Sequence, residues 1–339
     1  MISNELKKAL LREDCFRDII GQEAAKEQLR SALLAERNVI IIGPPGIGKT
    51  TLAKNVARLL PEITANDCGF NCLPEAPVCP ACRTGTRTTR KKISGPERFV
   101  RVQGSPDLAA EDLLGDIDPA KALKSGAASI EAFSPGKIFR ANNGVLFFDE
   151  LNRCPARLQN ALLQVLEEKK ATLGSYKVDF DADLIFIGTL NPQDASTEKL
   201  SDVFLDRFDI IYMTYPESHE AEETIVREKG RKIDGVEFPK PLLARAISFV
   251  RALRENKKLE KLPSVRATIG LYERAQANAL LRMHRQVQEE DVKDAIMSVL
   301  AHRITLKPSA RYAMTPEELI KEEMEDFPQD RPEKKGDGR

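Results

Sequence analysis

The stretch Val39-Ile-Ile-Ile-Gly-Pro-Pro-Gly-Ile-Gly-Lys-Thr-Thr51 decides the fold. Its four apolar β-branched residues are too few for a helix and are typical of a strand buried on both faces of a parallel sheet. Residues 43–50 fit the pattern G-x-x-x-x-G-K-[ST], in which the glycines let successive backbone N–H groups turn towards phosphate oxygens. A helical pattern then runs to Leu60. This order of strand, loop and helix predicts an α/β protein that binds a nucleotide through its phosphates.

Each part of the loop has an expected role. Lys49 is predicted to reach the β- and γ-phosphates, and Thr50 to offer its hydroxyl to Mg²⁺. The helix that begins at Lys49 adds its positive end. A simple turn between strand and helix would need neither the lysine nor the threonine. The predicted binding residues are Gly43, Pro44, Pro45, Gly46, Ile47, Gly48, Lys49, Thr50 and Thr51.

Outward from this stretch, four more short apolar runs predict buried strands. They are Phe99–Val102, Val145–Phe148, Leu184–Ile187 and Ile210–Met213. Helical segments lie between them, so the sequence predicts an α/β core with a parallel five-stranded sheet at residues 1–215. After Pro216 the strand signal stops and helical periodicity follows, which predicts an all-α lid domain at 216–312. Residues 313–339 are predicted to be a charged, disordered tail.

Two acids follow the third strand, in Val145-Leu-Phe-Phe-Asp149-Glu150. A nucleotide site needs carboxylates at such a strand end. Asp149 is predicted to hold Mg²⁺ through water, and Glu150 to polarise the water that attacks the γ-phosphate. The alternative is that the two acids merely cap a buried strand. Beside a phosphate loop, the pair favours an enzyme that hydrolyses ATP.

The composition excludes several classes of function. The 339 residues include 52 basic and 52 acidic side chains, a balance that argues against a dedicated polyanion-binding protein. No apolar run of about eighteen residues predicts a membrane span, and residues 1–11 lack the apolar centre of a secretion signal. We therefore expect a cytoplasmic protein, in which the six cysteines are thiols or metal ligands and not disulfides.

With these motifs, the chain resembles the AAA+ ATPases. Ile19-Ile-Gly-Gln22 is similar to the element that packs on adenine, and Gly188-Thr-Leu-Asn191 is similar to sensor 1. The resemblance implies that Ile20, Gly21 and Gln22 contact the base. It also implies that Asn191 helps to orient the attacking water.

Two arginines are assigned through the same resemblance. Leu205-Asp-Arg207-Phe-Asp209 resembles the segment with the arginine finger, which reaches the ATP of the neighbouring subunit, and Pro263-Ser-Val-Arg266 resembles sensor 2. Arg153 is a further, weaker candidate for contact across a subunit boundary. Such arginines are physically coherent, because phosphoryl transfer depends on stabilising charge around the γ-phosphate.

Within the AAA+ proteins, the likeness is to the MoxR and magnesium-chelatase ATPase-subunit (ChlI-like) group. The residues that carry it are in Arg101–Leu108 and Phe133–Phe139. It implies an insertion at Asp116–Phe133 and a hairpin at Ala171–Asp183, centred on Gly174 and Ser175. It also implies a hexameric ring with the arginine finger acting in trans, and a partner that is a separate von Willebrand A domain protein or a chelatase subunit.

Three functions remain open at this stage, because one motor fold drives many tasks. The first is a MoxR-like chaperone that remodels a partner protein during metal insertion or complex maturation. The second is the ATPase subunit of a magnesium- or cobalt-type tetrapyrrole chelatase. The third, a motor that acts on DNA, is disfavoured because no DNA-binding extension is evident.

A cysteine-containing insertion occupies residues 64–98, far longer than an ordinary connection between helix and strand. It contains Cys68, Cys72, Cys79 and Cys82 in two closely spaced pairs. Four thiolates can surround one tetrahedral Zn²⁺, which would order a loop that has almost no apolar core. We favour structural zinc, while an iron–sulfur cluster and metal-free thiols remain as alternatives. Cys15 and Cys154 are interpreted as ordinary buried or half-buried thiols.

A basic run, Arg83–Lys92, follows the cysteines. It has no interleaved aromatic residues that could stack on bases. It is interpreted as a solvated loop or as a docking surface for an acidic protein partner.

Overall fold

The computed structural model describes residues 3–85, 89–126, 132–173, 178–192, 200–325 and 327, and these form two units. The first unit comprises Met1–Gly43 and Gly48–Met213, and the second comprises Pro44–Ile47 and Thr214–Arg339. In the described part of the chain, no helix is long and apolar enough to cross a membrane.

The first unit has the following elements. Its strands are β1 (Asn38–Ile42), β2 (Ile63–Asn66), β3 (Arg90–Ile93), β4 (Phe99–Gln103), β5 (Gly115–Ile117), β6 (Phe133–Pro135), β7 (Val145–Asp149), β8 (Lys170–Leu173), β9 (Val178–Asp181), β10 (Ile185–Leu190) and β11 (Phe208–Tyr212). Its helices are α1 (Asn4–Leu10), α2 (Glu23–Leu34), α3 (Lys49–Leu59), α4 (Pro80–Arg83), α5 (Ala110–Leu114), α6 (Pro119–Ser125), α7 (Lys137–Arg140), α8 (Ala156–Glu168) and α9 (Asp202–Leu205), with 3₁₀ turns at Pro96–Arg98 and Leu151–Arg153.

A five-stranded sheet in the order β11-β1-β10-β7-β4 forms the core of this unit. Every neighbouring pair in it is parallel. The five apolar runs supply these strands, so the predicted parallel sheet is confirmed. The apolar side chains of β1 and β7 are buried almost without exception, as expected for strands covered on both faces. Because the strands are parallel, the loops that follow β1, β10 and β7 meet at one edge of the sheet.

Three antiparallel hairpins interrupt this arrangement. The pair β2–β3 closes the cysteine insertion, and β5–β6 lies in the insertion implied at 116–133. The pair β8–β9 forms the hairpin implied at 171–183, but its centre at 174–177 lies outside the described residues. Residues 127–131 also lie outside them.

The second unit is predominantly helical. Its elements are α10 (His219–Lys229), α11 (Lys240–Glu255), β12 (Leu259–Lys261), α12 (Val265–Leu281), α13 (Glu289–Leu300), β13 (Thr305–Leu306), α14 (Pro308–Arg311) and α15 (Pro316–Glu325), with a 3₁₀ turn at Ala301–Arg303. The helical nature of this region is as predicted. It is not strictly all-α, since β12 and β13 pair their backbones in antiparallel fashion.

The sequence prediction of a disordered tail from residue 313 was wrong for Pro316–Glu325, which form α15. Two side chains of this helix, Leu319 and Ile320, are fully buried in the apolar core of the second unit. Burying them removes apolar surface from water, which the charged composition of the segment concealed. Residues 326 and 328–339 lie outside the described part.

A buried carboxylate joins three helices of the second unit. Glu222 on α10 has no exposed surface and receives two hydrogen bonds from the Arg254 guanidinium, of 2.6 and 2.7 Å. The Thr268 hydroxyl of α12 donates a third, of 2.6 Å. Burial by itself raises the pKa of Glu222, but the hydrogen bonds and charge of Arg254 outweigh it and hold the pKa below its ordinary value. The group is therefore a structural anion, and its ion pair is fully enclosed.

Candidate functional site

The phosphate loop begins at Gly43, directly after β1. Gly46 and Gly48 have φ angles of +78° and +101°, in the left-handed region that favours glycine. No side chain caps α3, because its N-cap residue is Gly48, so the first N–H groups of the helix face the loop. Lys49 Nζ donates to the Gly43 carbonyl oxygen at 2.5 Å, which places its ammonium group at the loop. The loop thus presents backbone donors and one cation to an anion.

The segment before α2 lies beside this loop. Ile20 is half-buried, and Gly21 and Gln22 both have left-handed backbones, with φ of +66° and +62°. The side chain that reaches the loop is Ile19, whose Cδ1 would lie 3.4 Å from a Cβ placed on Gly48. The structure therefore brings the Ile19–Gln22 element to the phosphate loop, with Ile19 as its contact residue.

Asp149 is at the carboxyl end of β7 and is held by two neighbouring strands. The buried Thr189 hydroxyl of β10 donates to Asp149 Oδ1 at 2.7 Å. Arg101 Nη2 of β4 donates to Oδ2 at 2.6 Å. Asp149 is 16% exposed and Arg101 51% exposed, so it is the arginine of this ion pair that is open to solvent.

Glu150 has a strained backbone, with φ +54° and ψ +52°. Its N–H donates to Thr189 Oγ1 at 3.1 Å. Its Oε2 accepts a hydrogen bond from Gln103 Nε2 at 2.9 Å and lies 3.4 Å from Arg153 Nη1. Gly104 allows this turn to fit, because a Cβ there would lie 2.0 Å from the Glu150 carbonyl oxygen. Contacts from β4 and β10 thus fix the position of the predicted catalytic carboxylate.

The other predicted residues have separate environments. Asn191 follows β10 by one residue, at the same edge of the sheet as Asp149. Arg207 forms an ion pair with Glu167 of its own chain and donates to the Val203 carbonyl oxygen. In the second unit, Arg266 lies against the loop residue Gly46. A Cβ atom added to Gly46 would lie 3.0 Å from the Cγ atom of Arg266.

Sequence reasoning missed three residues that hold the two acids: Thr189, Gln103 and Arg101. Thr189 had a recognisable signal, since it is a hydroxyl residue within the otherwise apolar strand β10. A polar group in a buried strand needs a hydrogen-bonding partner. Gln103 and Arg101 had no such signal in the sequence, because their role depends on the register that pairs Gln103 with Asp149.

The four cysteines of the insertion form one cluster. The sulfur atoms of Cys68, Cys72, Cys79 and Cys82 all lie within 4.8 Å of one another, and all but Cys68 are buried. Hydrogen bonds from the Cys72 and Cys79 thiols lower the pKa of Cys68 far below its usual range. Cys15 and Cys154 are free cysteines outside this cluster, half-buried and buried respectively.

The residues at the sheet edge fit Mg²⁺ and a nucleotide. The loop has φ-positive glycines, uncapped helix N–H groups and Lys49, as needed for phosphate oxygens. The nearby oxygen donors, the Asp149 carboxylate and the Thr50 hydroxyl, are the kind that Mg²⁺ prefers. Glu150 is a carboxylate held in place one residue further on.

Three family profiles match successive parts of the chain. The family described as magnesium chelatase, subunit ChlI, matches residues 15–71. The ATPase family associated with various cellular activities (AAA) matches residues 80–210, and the AAA lid domain matches residues 252–324.

Individual proteins show the same relationship. The chain is 28% identical to a magnesium-chelatase subunit ChlI homolog of Methanocaldococcus jannaschii, over 91% of this chain and 89% of that protein. It is 25% identical to the chaperone MoxR1 of Mycobacterium tuberculosis, over 86% and 73%. A structure of the complex between subunits BchI and BchD of magnesium chelatase shares the fold, with 23% identity, a TM-score of 0.50 and coverage of 90% of this chain and 98% of that one. These domains and relatives confirm the resemblance of the chain to the group of AAA+ ATPases that includes the magnesium-chelatase ChlI subunits and the MoxR chaperones.

Proposed function

We propose that this chain hydrolyses Mg²⁺-ATP as a subunit of a hexameric ring and uses the energy to remodel a partner protein or complex. One observation carries the proposal. The phosphate loop, Asn191 and the Asp149–Glu150 pair follow three adjacent parallel strands, β1, β10 and β7, so they share one edge of the sheet. A phosphate-binding loop beside an ordered carboxylate is the arrangement that phosphoryl transfer to water needs.

Within the site, each residue has a distinct task. The loop N–H groups and Lys49 bind the phosphates, with the Ile19–Gln22 element against the base. Thr50 and Asp149 would hold Mg²⁺, which would neutralise charge on the phosphate oxygens. Glu150 accepts a proton from the attacking water, and Asn191 orients that water.

The two arginines complete the charge around the γ-phosphate in this proposal. Arg266 lies against the phosphate loop at Gly46, which supports its role as sensor 2. Arg207 is engaged by Glu167 of its own chain, and its guanidinium must leave this partner to reach a neighbouring subunit's nucleotide. The side chains of Arg207 and Glu167 are half-exposed, so breaking their ion pair costs little free energy. Hydrolysis therefore depends on ring assembly.

A MoxR-like chaperone for metal insertion or complex maturation, acting on a von Willebrand A domain protein, is the task we propose. The alternative is the ATPase subunit of a tetrapyrrole chelatase. It is favoured by the relative named as a ChlI homolog, which matches nearly the full length of both chains. A large chelatase subunit captured by the ATP-trapped Glu150→Gln ring would decide for this alternative, and a von Willebrand A protein captured alone would decide for the chaperone.

Two variants with complementary defects test the mechanism. Glu150→Gln should bind ATP and hydrolyse it about 10²- to 10⁴-fold more slowly, because the general base is lost. Arg207→Ala should also be slow alone. Mixed rings should recover activity, since some boundaries then combine an intact Glu150 with a neighbour's intact Arg207. Steady-state phosphate release and nucleotide binding provide the measurements.

The exposed Glu27→Gln on α2 is the matched control and should hydrolyse ATP normally. Normal turnover by Glu150→Gln would remove Glu150 from the mechanism. Normal turnover by pure Arg207→Ala rings would show that the finger is another residue.

A further inference from the structure

We propose that Cys68, Cys72, Cys79 and Cys82 bind one structural zinc ion in a tetrahedral site, and that this ion fastens the cysteine insertion to the segment that leads into the Asp149 strand. The site is separate from the nucleotide site. The proposal does not depend on ATP hydrolysis, so either can fail without the other.

The spacing of the sulfurs favours a single ion. With a Zn–S bond of about 2.3 Å, the sulfurs of a tetrahedral site lie about 3.8 Å apart. The four sulfurs here all lie within 4.8 Å of one another, close to that separation. In a [4Fe–4S] cluster each thiolate binds a different iron atom, and in a [2Fe–2S] cluster the four thiolates bind two iron atoms in pairs, so the four sulfurs do not surround one ion. Disulfides need bonded sulfur pairs, and all four cysteines are free.

Backbone donors surround the sulfurs as they would surround thiolates. The N–H groups of Val78 and Cys79 both point at Cys72 Sγ, at 3.3 Å each. A thiolate is a much better acceptor than a neutral thiol, and such outer contacts orient metal ligands. The sequence spacing of three residues within the first pair and two within the second also matches structural zinc sites.

A cationic residue directly follows the last of the four cysteines. Four thiolates and Zn²⁺ carry a net charge of −2, which is costly to bury without nearby cations. The Nε of Arg83, the residue after Cys82, donates to the Pro77 carbonyl oxygen at 3.2 Å, and its Nη2 lies 3.5 Å from Asp181 Oδ2.

The turn between Cys68 and Cys72 is attached to the main body of the first unit. Asn142 Nδ2 donates to the Phe70 carbonyl oxygen at 3.0 Å, and Asn71 Nδ2 donates to the Arg140 carbonyl oxygen at 2.7 Å. The Phe70 ring lies 5.2 Å from the Phe139 ring. These contacts belong to the residues just before β7. An ion at the cysteines would therefore fix the Cys68–Cys72 turn, which the two asparagine contacts attach to that segment.

Elemental analysis of the full chain, purified with and without oxygen, tests the proposal. We expect about one zinc per chain. Cys72→Ser and Cys79→Ser should lose it, whereas Cys15→Ser, which alters a cysteine outside the cluster, should keep it. Growth with Co²⁺ should give the visible absorption of a tetrahedral tetrathiolate site. Stoichiometric iron, or no metal after either preparation, would overturn the proposal.

A second measurement on the unaltered chain covers the case in which the serine variants fail to fold. Titration with a thiol reagent in the presence of a zinc indicator should release the ion as the four clustered thiols react. Protease cleavage at Arg83 and Arg90 should accelerate at the same point. Release of zinc without reaction of these four cysteines would place the ion elsewhere and refute the assignment. These outcomes do not bear on the proposed ATP hydrolysis, which the Glu150→Gln variant tests separately.

Discussion

Asp149 in the first unit and Glu222 in the second are held by the same kinds of group, a threonine hydroxyl and an arginine. They differ in enclosure. Glu222 has no exposed surface, and Arg254, which is 7% exposed, binds both of its oxygens. Asp149 is 16% exposed and receives one hydrogen bond from Arg101, which is 51% exposed.

The difference shows how the same chemistry serves two purposes. A fully enclosed carboxylate cannot give up its cation without leaving a buried charge, so Glu222 fixes the packing of α10, α11 and α12. A carboxylate whose paired cation is exposed to water can exchange that cation for another at a small cost in free energy. Asp149 is therefore pre-positioned by Thr189, and the proposed function requires that it exchange Arg101 for Mg²⁺.

The largest effect should come from removing each negative charge without changing its shape. Glu222→Gln leaves the buried Arg254 without a counter-ion and should lower the free energy of unfolding of the second unit by about 3–5 kcal/mol. Asp149→Asn should change the stability of the first unit by less than about 1 kcal/mol, while abolishing hydrolysis. Hydrogen exchange of backbone amides in α10, α11 and α12 measures the change in stability of the second unit, and exchange in β7 measures that of the first unit.

These paired variants are controls for each other. Comparable destabilisation by Asp149→Asn and Glu222→Gln would show that enclosure does not separate the two sites. Rapid exchange confined to β7 would reverse the roles assigned to them.

A smaller effect is expected from the hydroxyls. Thr189→Val leaves Asp149 Oδ1 and the Glu150 N–H without their partner. The free energy of unfolding of the first unit should fall by about 1–3 kcal/mol. Because both groups belong to the site, we expect kcat to fall while the affinity for ATP is kept. Thr268→Val should instead affect the stability of the second unit and not kcat. Equal kcat values for the two variants would remove Thr189 from the positioning of the acids.

The smallest effect concerns Arg101. Since the Arg101 side chain is 51% exposed, Arg101→Ala should change the free energy of unfolding of the first unit by less than about 1 kcal/mol. It should nevertheless lower the Mg²⁺ concentration needed for half-maximal hydrolysis, because a competitor for Asp149 is gone. Arg37→Ala, which breaks the exposed pair with Asp209, is the matched control and should leave the Mg²⁺ dependence unchanged. An unaltered Mg²⁺ dependence of hydrolysis in Arg101→Ala would contradict the idea that Arg101 and Mg²⁺ compete for Asp149.

The sequence predicted those features whose cause is local. Val39–Ile42 is apolar and β-branched throughout, which favours a buried strand, and the glycines of the loop show the backbone conformation that it needs. The clustered cysteines were also recognisable from their spacing. Contacts that depend on strand register were not accessible, as Gln103 illustrates: it holds Glu150 only because β4 pairs with β7 at that offset. The helix α15 was missed because two buried apolar residues determine its place within a strongly charged segment.

The left-handed backbone of Glu150 limits which mutations this position can tolerate. Asparagine and glycine adopt that conformation readily, and an unbranched residue such as glutamine meets a moderate cost. Valine, isoleucine and threonine are branched at Cβ and would strain the turn. Random mutation at this codon should therefore yield two classes of inactive protein. One class folds and loses only the carboxylate that we propose as proton acceptor. The other class also loses the turn that joins β7 to its following residues, so inactivity alone is a poor guide to the role of this residue.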